Sequence, residues 1–367
     1  MVYDGVVIGG GVMGSAVALR LAQAGQRVLV LEKSIPGAEA SSAAGGILGP
    51  QMEGEHDDAL FRLALASRDA YPAFASELRE LSGVDVGWRR CGLLRTCAAG
   101  EDVAPLEERL AWQRRAGLPI ETLGGDEVRR LEPSLSPAIE RALHFPEEAV
   151  VEPRKLAEAL PIAAQAAGAS VRRAQVRRIV AADGRAVGVE LDDGVVSAGA
   201  VVVAAGAWTS KVEGSGLPCD AVRPVRGQMA ALRGAGPSPS RIVFTSRGYL
   251  VPRADGTVVA GSTMEEVGYE KRVTAGGLAR ILGNAADVMP SLAHAEVAAT
   301  WSGLRPCPRD GLPLIGAGPL PGLFLASGHH RNGILLTPET ARLLARAVVD
   351  GRDPDELAPF SPMRYAR

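Results

Sequence analysis

Gly9-Gly10-Gly11-Val12-Met13-Gly14 lies between an apolar, β-branched stretch and a helical pattern, with Glu32 about twenty residues downstream. Glycines so spaced, followed by an acid, can hold a dinucleotide. Gly9 permits a tight turn, Gly11 lets a diphosphate reach the backbone at the positive end of a helix, and Gly14 lets helix and strand pack closely. Glu32 can accept hydrogen bonds from ribose hydroxyls, and its charge disfavours a cofactor with an extra phosphate there. A glycine-rich turn that binds nothing would have no need of strand, helix and acid in this register.

A second segment, Val201-Val202-Val203-Ala204-Ala205-Gly206-Ala207-Trp208, is an apolar strand ending in small residues. Alone it could be an ordinary buried strand with a tight turn. Together with the first glycine cluster it resembles the second cofactor signature of two-domain flavoproteins, which points to FAD rather than NAD.

Gly328-His329-His330-Arg331-Asn332-Gly333-Ile334-Leu335-Leu336-Thr337-Pro338 sets an arginine and a glycine turn immediately before a helix, where backbone amides can stabilise negative charge. This segment joins three others: the nucleotide cluster, the loop Ala40-Ser41-Ser42-Ala43-Ala44-Gly45-Gly46-Ile47-Leu48, and Trp301-Ser302-Gly303-Leu304-Arg305-Pro306 with Asp310-Gly311. With all four in order over nearly its full length, the chain resembles the glycine oxidase branch of the D-amino-acid oxidase family.

The resemblance implies non-covalent FAD held in four places. These are Gly9, Gly11, Val12, Met13, Gly14, Glu32 and Lys33; the loop residues Ser41, Ser42, Ala44, Gly45 and Gly46; Val176, Ala205, Gly206 and Trp208; and Arg305, His329, His330, Arg331, Asn332, Gly333 and Ile334. It also implies the reaction. A small neutral amine or amino acid gives its α-hydrogen as hydride to the flavin N5, the imine hydrolyses to the oxo acid, and O2 is reduced to hydrogen peroxide. Orientation is most of what a protein contributes to such a step.

Arg331 is expected to clamp the substrate carboxylate with paired hydrogen bonds, Arg305 to complete the anion site, and Tyr249 to border the substrate. Met264 and His330 are expected in the substrate pocket, with His329 and His330 near the ring rather than acting as acid or base. Each has another reading: Arg331 paired with Glu339, Arg305 in an ion pair between domains, Tyr249 or Met264 in a core. Cys307 lies in the region where related sarcosine oxidases tether their flavin. Its spacing to Asp310 differs, so a plain buried thiol is preferred.

An oxidase is the leading reading, and a role in thiazole synthesis follows from the resemblance alone. A dehydrogenase of the same fold, passing electrons to a quinone or protein acceptor, is the first alternative, because oxygen reactivity is not written in residue types. A flavin-binding module without turnover is opposed by two arginines near the ring, which are costly without an anionic ligand. An NAD-dependent dehydrogenase would need a second nucleotide fold or a His-Asp relay.

The elements that must position these groups follow from periodicity. Residues 2–9, 12–24 and 27–31 read as a strand, a helix closed by Gly25 and a second buried strand, a βαβ unit of a parallel sheet. Helical spacing returns at 57–81 and 101–117, around a strand-like 84–96. Pro153 opens a helix reaching Ala167, and Asp183-Gly184 and Asp193-Gly194 mark turns on the way to a strand at 200–205. Runs at 221–232, 241–252 and 257–262 suggest an antiparallel sheet, followed by a helix at 275–287. A strand at 323–326 and a helix at 338–349 come last. The fold class is α/β: a Rossmann-type FAD-binding domain from 1–50, 141–215 and 300–367, interleaved with an α+β substrate domain from 51–140 and 216–299 built on an antiparallel sheet.

Composition narrows the classes further. A chain of 367 residues, 47% hydrophobic and 22% charged, has the balance of a globular α/β protein of two domains. A net charge of −2 provides no basic field, which excludes nucleic acid as a partner. Cys91, Cys97, Cys219 and Cys307 lack CxxC spacing, so no zinc knuckle or redox pair is expected, and a reducing cytoplasm suits them. No signal-peptide pattern precedes the first strand, and apolar stretches such as 200–208 are about half a bilayer crossing. The expectation is a cytoplasmic enzyme without a transmembrane span or metal, taking a small amine and O2, with self-association left open.

Overall fold

The computed structural model describes residues 2–98, 100–102, 104–234 and 236–366, so Met1, Ala99, Val103, Ala235 and Arg367 of the expected domains lie outside the described residues. Five strands run parallel in the order Leu323–Ser327, Gly194–Val203, Tyr3–Ile8, Val28–Glu32 and Ser170–Arg173. Ile8 is level with Leu31 on one side and Val203 on the other, so these strands end together at one edge.

Side chains along the strands alternate between two buried faces. Val7, Val30, Val202 and Ala326 pack with the helices Val12–Gln23, Pro153–Ala166 and Thr337–Asp350. Val6, Leu29, Val201 and Leu325 pack under the hairpin of Arg178–Ala182 and Arg185–Leu191, which pairs with the first half of Gly194–Val203. Burial on both faces is why these strands read as unbroken apolar runs, each buried Val or Leu side chain contributing about 1.5–3 kcal/mol. Ala59–Ser82, capped by the Asp58 carboxylate accepting from the Phe61 N–H at 2.8 Å and closed by left-handed Gly83, lies across the helical layer.

A second sheet has the order Glu296–Pro308, Val222–Arg233, Val258–Gly261, Gly248–Pro252, Ile242–Thr245, Leu93–Ala98, Ile139–Phe145 and Glu121–Gly124. Its pairs are antiparallel except Ile242–Thr245 beside Leu93–Ala98. The helix Ala275–Val288, capped by Thr274, covers one face. The other face carries Met229, Tyr249 and Trp301.

Two expectations change here. The run 241–252 is not one strand but a hairpin, with Thr245 opposite Gly248. Ile139–Phe145 and Glu296–Pro308 both belong to the second sheet, so the expected domain boundaries at 141 and 300 fall inside its strands. Among the described residues, no helix is long and apolar enough to cross a membrane, and no group of three or more His, Cys, Asp and Glu is placed to hold a metal ion.

Candidate functional site

A cavity of about 640 Å³ opens where the ends of the parallel strands meet the Met229 face of the second sheet. In open α/β sheets this edge is where ligands bind.

At one end stands the glycine cluster. Gly9 has φ +102°, and a Cβ on it would lie 2.6 Å from the Ala204 carbonyl oxygen. A Cβ on Gly14 would lie 1.9 Å from the Gly9 oxygen, so Gly14 packs helix against strand and does not line the cavity. The helix Val12–Gln23 begins at Gly11 with no acid in its first turn, and the Val12 N–H donates to the Ser41 Oγ at 3.1 Å. Its positive end therefore faces the cavity uncompensated by a carboxylate of its own, which suits a diphosphate. Glu32 is fixed beside it by N–H groups of Gly10 and Ser34, each 2.9 Å from a carboxylate oxygen. Lys33, with Nζ 3.7 Å from the Trp208 ring centre, Val176, Ala205 and Gly206 complete this wall. The residues present fit FAD.

The loop after Val28–Glu32 forms the middle. Ser41, Ala44, Gly45 and Gly46 line the cavity; Ser42 does not, its hydroxyl donating to the Glu39 carbonyl at 3.4 Å. The loop is tied to the second sheet. The Trp301 indole N–H donates to Ala43 O at 3.1 Å, and the buried Arg253 donates to Gly45 O at 2.8 Å and Val151 O at 3.1 Å. Burial lowers the Arg253 pKa, with Glu152 opposing that shift.

The other end gathers the expected substrate residues. The Tyr249 ring stands against Gly45, where a Cβ would be 3.2 Å from its hydroxyl, and that hydroxyl donates to the Met229 Sδ at 3.4 Å. Arg305 crosses the neighbouring strand over Gly227; a Cβ there would lie 2.2 Å from Nη1. Its guanidinium donates to Thr263 O at 3.2 Å and Ser262 Oγ at 2.7 Å. Among the described residues no carboxylate lies within ion-pair distance of it. Arg331 differs: Nη2 is 2.7 Å from Glu53 Oε1, at the rim, with 39% of its side chain exposed. Glu339, the other acid considered for it, is held by Arg342 at 2.7 Å. The leading role expected of Arg331 thus falls on a cation that already has an acid, while Arg305 has none.

His329 is buried with a ring nitrogen 3.1 Å from Thr340 Oγ1, and burial pushes its pKa down to about 3. His330 has φ +46°, and its N–H donates to Pro306 O at 2.9 Å. Burial, then Arg305 and Arg331, lower its pKa to about 4. Both rings are neutral at pH 7. Asn332, Gly333 and Ile334 line the wall ahead of Thr337–Asp350; the Tyr71 hydroxyl donates to Ile334 O and the Ser67 hydroxyl to Leu335 O at 2.7 Å, holding that turn. Met264, 57% exposed, stands on the cavity wall and not in a core. Cys307 is not on the wall; its thiol donates to Pro308 O at 3.6 Å, which fits non-covalent FAD.

Gly227, Met229, Glu53, Ser262 and Thr263 were not singled out by the sequence. Each matters through a residue far away in the chain, and only Gly227, a glycine in the interior of the strand Val222–Arg233, carries a local sign.

A glycine-walled diphosphate cradle on a parallel sheet, faced by a second sheet with a guanidinium that has no acid partner among the described residues, defines a dinucleotide-binding α/β protein with a small anion-receiving chamber. Residues 4–347 match the family described as FAD dependent oxidoreductase (DAO), and the chain belongs to that family. The glycine oxidase of Geobacillus kaustophilus is 37% identical over 366 residues, which cover 99% of this chain and 97% of that protein. A crystal structure of glycine oxidase from Geobacillus kaustophilus is similar with a TM-score of 0.93 at 38% identity, covering 99% of each chain. The bifunctional protein ThiO/ThiG of Trichormus variabilis is 33% identical over 372 residues, and the match spans 100% of this chain and 56% of that protein.

Proposed function

We propose that the chain oxidises glycine or a similarly small amine or amino acid to the imine, which water hydrolyses to the oxo acid (from an amine, the carbonyl compound) with release of the nitrogen as ammonia or an amine. O2 is the electron acceptor and hydrogen peroxide the product. The observation that carries this reading is Arg305, a guanidinium on the cavity wall with no acid of its own among the described residues. A substrate carboxylate would take the N–H groups that Ser262 and Thr263 leave free, in charge-assisted hydrogen bonds stronger than neutral ones. Tyr249, fixed between Gly45 and Met229, bounds the space beside that carboxylate and favours small side chains; a methylene of misfit is worth about 1–3 kcal/mol. Neutral His329 and His330 add no competing cation near Arg305. Arg331 and Glu53 would close the rim as a neutral pair.

FAD, when bound, supplies the two-electron acceptor. Its diphosphate would be held at Gly11 and the helix start, its ribose by Glu32, and its ring by the turn at Asn332 to Ile334. The two sheets would then serve as cofactor and substrate domains. Likeness to the bifunctional protein ThiO/ThiG supports a place in thiamine biosynthesis, and the four free cysteines suit a reducing cytoplasm.

The test is spectroscopic. Yellow enzyme mixed anaerobically with glycine should bleach, and air should restore the colour with release of peroxide. A spectrum unmoved by every small amino acid rejects the reading, and bleaching that air does not reverse makes the protein a dehydrogenase.

A further inference from the structure

Arg305 is not held by its own strand. It reaches across Val222–Arg233 to donate to Ser262 and Thr263, which lie on that strand's far side. What fixes those two residues fixes the guanidinium. Residues 263–265 run beside the strand: the Arg226 N–H donates to Glu265 O at 2.9 Å, the Glu265 N–H to Arg226 O at 3.0 Å, and the Gln228 N–H to Thr263 Oγ1 at 2.9 Å. Side chains reinforce the backbone. The Arg226 guanidinium, 3% exposed, donates to the Glu265 carboxylate, and Gln228 Nε2 donates to its other oxygen at 2.7 Å. Arg226 and Gln228 alternate with Gly227 and Met229, which line the cavity.

We infer that the Arg226–Glu265 ion pair is a positioning device for substrate binding, pinning the Ser262–Thr263 segment so that Arg305 presents its free N–H groups to a carboxylate. This rests on the reading of Arg305 as the carboxylate anchor. Burial works against the Glu265 charge, but hydrogen bonds from Arg226, Thr263 and Gln228 outweigh it and bring its pKa to about 2, so the pair stays ionised throughout the working range. Neither residue lines the cavity, so neither is a catalytic residue. Contacts that couple through a shared segment commonly carry enough energy to alter binding several-fold to about a hundredfold.

The test uses the flavin-loaded enzyme with acetate, a carboxylate without an oxidisable amine, titrated through the flavin absorbance. Glu265→Ala should raise the acetate Kd and the glycine KM together by about tenfold while kcat changes less than about threefold and flavin content stays normal. Glu265→Gln, which keeps an acceptor for Gln228, should fall between Ala and the native protein, and it carries the test if Glu265→Ala does not fold. Native Kd and KM in a flavin-replete variant, or a loss confined to kcat, overturn the inference. Arg305→Ala separates the two levels. If it weakens acetate and the Glu265 variants do not, only the positioning role fails; if it too leaves the acetate Kd unchanged, the anchor itself has been misassigned.

Discussion

Arg305 can cross its neighbouring strand only because residue 227 has no side chain. A methyl there would sit 2.2 Å from Nη1, with Nη2 at 2.4 Å, so Gly227→Ala must push the guanidinium off Ser262 and Thr263. The expected result is a glycine KM raised on the order of tenfold with flavin content unchanged; a native KM would mean that the side chain has another route to its site. Removing the cation altogether, as in Arg305→Ala, should weaken carboxylate binding by about 1.5–3 kcal/mol, the range for hydrogen bonds to charged groups. Arg331→Ala should cost less, because its charge is already met by Glu53 at a partly exposed rim, and a comparison of acetate dissociation constants would rank the two. At this scale the sequence was partly legible. Arginines 305 and 331 stood out by motif, but which of them has an acid partner depends on Glu53, 278 positions from Arg331, and no spacing rule reaches so far.

Among elements, the short helix Pro50–Glu53 depends on a buried acid. Glu148, fully buried, accepts the Gln51 N–H at 2.8 Å through Oε1, while Oε2 has no hydrogen-bond partner among the described residues. Burial, only partly opposed by Arg68, raises its pKa to about 8, so the native state keeps a proton that the unfolded chain has lost above 4.5. The stability this gives is full below pH 4.5 and is lost as pH rises through 8. Glu148→Gln, which mimics the protonated acid, should leave stability at pH 4 near native and raise it by about 1 kcal/mol or more at pH 8. Equal denaturation midpoints for both proteins at pH 8 would show that the carboxyl ionises freely. His329 has the opposite sign: its pKa is lowered to about 3 by burial, so the stability of its neutral form is present above 6.5 and lost as pH falls through 3.

The elements differ in how plainly the sequence shows them, for a physical reason. The first strand, helix and strand are contiguous and buried on both faces, so their pattern is plain. Glu296–Pro308 was seen only as a motif around Arg305, because its first half is largely exposed and shows no alternation. The turn of the hairpin, Thr245-Ser246-Arg247-Gly248, lies inside what reads as one alternating run, because a polar residue there fits the outward positions of a strand as well as a turn.

In the whole molecule, the chain passes repeatedly between the two sheets, and hydrogen bonds from the second sheet hold the cofactor loop of the first. Trp301 reaches Ala43, Arg253 reaches Gly45, and Lys271 pairs with Glu39 at 2.8 Å. The cavity takes Gly11, Glu32 and Ala205 from one sheet's side and Gly227, Tyr249 and Arg305 from the other. A ligand spanning it binds both halves in their native arrangement and neither half alone, so FAD should stabilise the two together. At a free concentration of 100 times its Kd the gain is about 2.7 kcal/mol, which for a chain of this size corresponds to a rise of several degrees in Tm. Calorimetry of FAD-stripped and reconstituted protein should therefore give one transition in each case, displaced upward as a whole by added FAD. Two transitions of which FAD moves only one would show that the cofactor is held by the parallel sheet alone, and that the loop's ties to Trp301 and Arg253 contribute little to cofactor binding.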